Sequence, residues 1–128
     1  MTCLIALSSM QSQAATYTWQ PVTGANNWNV SGNWVVTLPS GPAAAPVPGA
    51  AGGIISLIAN STAAQTITLN ASSTLGILNI GDPTTGFFGY TLTPTGGSTL
   101  TFDNNAAAAQ IIQDSKNANP PGRIKTII

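Results

Sequence analysis

Proton transfer and nucleophilic attack need imidazole, carboxylate, thiol or amine groups held close together, and this chain of 128 residues offers very few of them. It has no His, three Asp and no Glu, three Lys or Arg in all, and a single cysteine, Cys3. A carboxylate pair is the one acid–base device such an inventory could assemble. Asp82 precedes Pro83 and Asp103 precedes Asn104, so each has the setting of a turn residue whose side chain bonds nearby backbone. One cysteine cannot build a disulfide framework or a thiolate zinc site. Gly52-Gly53 and Gly96-Gly97 lack the Lys and the following helix of a phosphate cradle and read as turns. The chain is therefore expected not to be an enzyme, with no catalytic, cofactor-binding or metal-binding residue.

Recognition is the chemistry that remains. Trp19, Trp28 and Trp34, with Tyr17 and Tyr90, hold most of the large aromatic surface. On one exposed face the three tryptophans would stack on sugar rings, because an aromatic body is costly to leave in water. The competing expectation is that they fill and cap the start of a β core. Asn29-Val30-Ser31, Asn60-Ser61-Thr62 and Asn70-Ala71-Ser72 match the glycosylation acceptor pattern, a match that chance supplies in an Asn/Ser/Thr-rich chain. The cations Lys116, Arg123 and Lys125 all fall near the C-terminus, so most of the chain lacks the basic face that nucleic-acid binding requires.

The elements that must position these residues follow from composition and period. Only 5% of residues are charged, 43% are hydrophobic and the formal charge is zero, which is the reverse of a disordered composition. Residues 1–14 carry the apolar run Leu4 to Leu7 and small residues Ser12 and Ala14 at the positions a signal peptidase favours. This predicts an export signal cleaved before Ala15, although no Lys or Arg precedes the apolar run. No later stretch reaches the roughly 18 apolar residues of a membrane span. A Trp-rich cap is expected over 15–38 and a Pro/Gly/Ala-rich loop over 39–53, where turn formers exclude a helix or central strand.

From 54 to 128 the pattern is that of short strands. Ile67 and Leu69 alternate with Thr66 and Thr68, and Leu100 and Phe102 with Thr99 and Thr101, the period of two of a half-buried strand. Strands are expected at GIISLIA (53–59), AQTITLN (64–70), LGILNI (75–80), YTLT (90–93), STLTF (98–102), AQIIQ (109–113) and 124–128. Ile67, Leu78, Tyr90, Leu100 and Ile111 recur about every ten to thirteen residues, a spacing shared by sandwiches, barrels and solenoids. The likeness of TITLN, GILNIGD, YTLTPTGG and STLTFDNN favours stacked coils, and a small β-sandwich is the alternative.

Over Thr16 to about Gln113, the succession TYTWQPVTGANNWNVSGNW, TITLNASSTLGILNIGD, YTLTPTGGSTLTFDNN and AQIIQ resembles the N-terminal part of proteins with autotransporter-associated β-strand repeats. At Asn104-Asn105 the chain departs from that pattern, which has Asn-Gly, and its tail is more basic and Pro-rich. The resemblance implies an exported, cell-surface, right-handed parallel β-helix with further repeats of the same chain as partners. It implies no catalytic motif. The expected function is a structural or adhesive segment of such a protein, truncated at the C-terminus. The alternatives are a carbohydrate-binding module for surface polysaccharide and a self-associating matrix or fibre protein, the latter because low charge and uncovered strand edges invite pairing.

Overall fold

The computed structural model describes residues 15–37, 49–82 and 89–115. The expected export signal, most of the Pro/Gly/Ala-rich loop and the expected strand at 124–128 lie outside them. The fold is all-β. The described residues hold ten strands, β1 Thr16–Trp19, β2 Ala25–Asn27, β3 Trp34–Thr37, β4 Ile54–Leu57, β5 Gln65–Leu69, β6 Ser73–Leu75, β7 Ile77–Asp82, β8 Tyr90–Pro94, β9 Leu100–Phe102 and β10 Gln110–Ser115, and one 3-10 turn, Ser31–Asn33. Their Thr, Ile and Val content suits extended backbone, where a branched Cβ packs against the pleat.

The strands form three sheets, ordered β10-β7-β4-β1-β3, β2-β5-β8 and β6-β9. Every pairing is parallel except β1 with β3, which makes the first sheet mixed. Parallel neighbours cannot be joined by a tight hairpin. The chain instead passes through the other sheets before returning, so β4, β5 and β6 are followed by β7, β8 and β9, each beside its predecessor. Register carries like onto like: Ile55 lies level with Leu78, Ile67 with Leu92 and Leu75 with Phe102. These inward rows from all three sheets share one core. The recurrence of apolar residues every ten to thirteen positions thus carries the chain between sheets without marking every strand: Ile67, Leu78, Tyr90, Leu100 and Ile111 lie on β5, β7, β8, β9 and β10, and β6 falls between the first two.

One expectation is corrected. LGILNI is not one strand, because the chain bends at Gly76 and passes from β6 to β7. A Cβ at Gly76 would run into the Asn104 side chain and come 2.8 Å from the Gly52 Cα, so the backbone turns where only glycine fits. The Trp-rich opening, expected as a cap over 15–38, is built of strands. It contributes β1 and β2 to two of the sheets and β3 as an antiparallel edge, with Thr16 opposite Thr37 and Trp19 opposite Trp34.

Candidate functional site

The three tryptophans come together. Trp19 ends β1, Trp34 begins β3 and Trp28 occupies the turn after β2. Pairing of Trp19 with Trp34 puts both rings on one side of the β1–β3 ribbon. Trp34 then meets Trp19 and Trp28 edge-on, with centroids 4.8 and 4.9 Å apart, the T-shaped geometry that aromatic quadrupoles favour. All three rings are buried. They sit in the core rather than on a face, so stacking a sugar on any of them would first require the ring to leave its packing. Tyr90 is buried as well, and Tyr17 packs against the core half-buried.

Beside the cluster lies a buried polar network. Trp19 Nε1 donates to Gln65 Oε1 at 3.0 Å, and Gln65 Nε2 donates to Ser61 Oγ and to the Pro21 carbonyl, each at 2.7 Å. Ser61 Oγ lies 3.2 Å from the Tyr90 hydroxyl, which donates to the Ala59 carbonyl. The network ties β1, β5, β8 and the loop before β5 together, satisfying groups that would be expensive to bury unpaired. Trp34 Nε1 donates to the Trp28 carbonyl at 2.8 Å. Trp28 Nε1 is different: it is buried with no hydrogen-bond partner among the described residues. Gln65 and Ser61 are the residues that sequence reasoning missed. Gln65 occupies an inward position of the β5 alternation, and a polar residue at an apolar position was the signal available.

Asp103 is the carboxylate whose side chain is described. The Asp103 side chain is exposed and accepts from the Asn105 backbone N–H at 2.9 Å, the turn role expected of it. The Asp82 side chain lies outside the description. Asn105 takes φ +54°, the only non-Gly residue with positive φ among those described. Asn is one of the few side chains that tolerate this region, so it does here what the Gly of an Asn-Gly pair would do. At Gly96 and Gly97, φ values of +60° and +75° with the Ser98 N–H donating to the Thr95 carbonyl make a tight turn. Among the described residues no three His, Cys, Asp or Glu side chains form a group able to hold a metal. No helix there is long and apolar enough to cross a membrane.

No protein-family model, curated protein or solved structure matches this chain. The candidate site must be read from geometry, and the two ends of the strand ladders differ. At one end β3 lies antiparallel on β1 and the tryptophans fill the core behind it. At the other, β10 pairs only with β7 among the described residues. Ile111 continues the row of Tyr17, Ile55 and Leu78, yet it is 44% exposed where Ile55 and Leu78 are buried. Ile112 beside it is 42% exposed. Leu100 and Phe102 on β9 are only partly buried against the core. This end combines apolar side chains with unpaired strand edges, which is a surface for adding more strands.

Proposed function

We propose that the chain is a non-catalytic structural or adhesive segment of an exported, cell-surface protein, built as a parallel β-solenoid of the autotransporter-associated repeat type. The observation that carries the reading is the contrast between the ends: antiparallel β3 and the tryptophan cluster lie at one, while among the described residues nothing covers parallel β10 at the other. Stacked repeats need a cap where stacking starts and an open face where it continues. The succession β4-β5-β6, β7-β8-β9, β10, with each strand beside the one a full circuit earlier, also supports it. So do the small residues before Ala15 and the motif order that resembles those repeat proteins.

Expression of the full chain in a bacterium with an intact secretion pathway tests the proposal. Mass spectrometry of the exported product should show an N-terminus at Ala15, whose carbonyl accepts the Ile54 N–H at 2.9 Å. Retention of the uncleaved chain in the cytosol would sink the export half of the reading. A second reading, self-association into a matrix or fibre, is favoured by the exposed β10 edge with Ile111 and Ile112. Light scattering of the mature chain separates them, because a concentration-independent monomer excludes the matrix reading.

A further inference from the structure

The outer face of the second sheet carries a feature that stiffness or stacking does not use. On β5, Thr66 and Thr68 flank the inward Ile67, and on β8, Thr91 and Thr93 flank the inward Leu92. The parallel register sets Thr66 level with Thr91 and Thr68 level with Thr93. Adjacent strands lie about 4.8 Å apart and alternate residues along a strand about 6.6 Å apart. The four side chains therefore mark the corners of a near-rectangular cell, each with one hydroxyl and one methyl. The third strand, β2, extends the two rows with Ala25 beside Thr66 and Asn27 beside Thr68.

Cross-strand Thr pairs stabilise a sheet wherever they occur. Three further observations describe this patch, which differs from the single Thr74–Thr101 pair of β6 and β9 in holding two such pairs side by side. Thr66, Thr91 and Thr93 are exposed and Thr68 is partly so. None of the four hydroxyls makes a hydrogen bond among the described residues. No charged or aromatic residue stands on these three strands' outward rows. A charged partner would find no counter-charge there, and a sugar ring would find no aromatic face of the kind that favours stacking. What remains is an uncharged ligand whose oxygens repeat in two dimensions on the scale of the strand spacing.

We propose that Thr66, Thr68, Thr91 and Thr93 form a binding face for the ordered water lattice of ice. The branched χ1 of threonine holds each hydroxyl in few orientations, so the net is set before contact and little side-chain freedom is lost on binding. The neutral face matches a neutral lattice. The methyl groups hold the water between the hydroxyls in place without competing for its hydrogen bonds.

The test is ice-affinity partitioning of the full chain into slowly growing polycrystalline ice, with a non-binding protein of similar size as the reference. The wild-type chain is expected to be enriched in the ice several-fold over the reference. Thr91→Lys should be excluded to the reference level while keeping its far-UV circular dichroism. Thr101→Lys, on exposed β9 outside the net, should partition as the wild type does. Exclusion of the wild type, or equal loss in Thr91→Lys and Thr101→Lys, overturns the assignment. These outcomes are independent of whether the chain is exported.

Discussion

At the scale of single residues, Trp28 combines complete burial with an indole N–H that has no partner among the described residues. Deleting a buried Trp side chain costs about 3–5 kcal/mol, so Trp28→Ala should unfold the chain or bring it close to unfolding in a urea titration. Trp28→Phe leaves a smaller hole and removes an unsatisfied donor, whose burial costs about 1–3 kcal/mol. It should therefore retain most of the stability that Trp28→Ala loses, and equal destabilisation by the two would refute this account. Gln65 supplies the contrast. Gln65→Leu strands Trp19 Nε1 without its acceptor and should cost about 1–3 kcal/mol despite a gain in hydrophobicity. Asn105 is the simplest backbone case: with φ at +54°, Asn105→Ala should cost about 1–2 kcal/mol, whereas Asn105→Gly should be nearly neutral by thermal melting.

At the scale of elements, β3 and β10 play opposite parts at the two edges of one sheet. β3 pairs antiparallel with β1 and starts with buried Trp34, so one side of it is committed to the cluster. β10 presents Ile111 and Ile112 at an edge with no neighbour beyond among the described residues. A charge on an edge strand discourages pairing with other chains. Ile112 lies in the row of Ser56 and Asn79 rather than that of the apolar core. Ile112→Lys should accordingly lower concentration-dependent light scattering while changing unfolding free energy by no more than about 0.5 kcal/mol. A large loss of stability would mean that Ile112 is part of the folding core.

At the scale of the whole molecule, stability rests on apolar rows, backbone ladders and neutral hydrogen bonds. The chain is 5% charged with formal charge zero, and Coulomb terms are what salt screens. Raising sodium chloride should thus leave the thermal midpoint nearly unchanged, whereas sulfate, which strengthens effective burial, should raise it. A midpoint that falls steeply with sodium chloride would point to charge interactions among residues outside the description. Zero net charge also removes the repulsion that keeps copies apart, so no net-charge repulsion opposes pairing of copies at the β10 edge.

The sequence alone determined the strand class and the lack of His and Glu, because alternation of Thr with Ile or Leu and residue inventory are local properties. It also located the strands at β4, β5, β8, β9 and β10 closely, since turn residues bracket each one. It did not reveal the break at Gly76. LGILNI reads as one short strand, and only the approach of Asn104 and Gly52 from other parts of the chain shows why a glycine must stand at the bend. Nor did it separate tryptophans in a core from tryptophans on a face: the same three residues suit both, and the pairing of β1 with β3 decides that they turn inward. The alignment of Thr66 with Thr91 likewise exists only once β5 and β8 pair in one particular register. Period is written residue by residue, whereas register and burial depend on contacts between segments far apart in the chain, and those arise only from the tertiary structure.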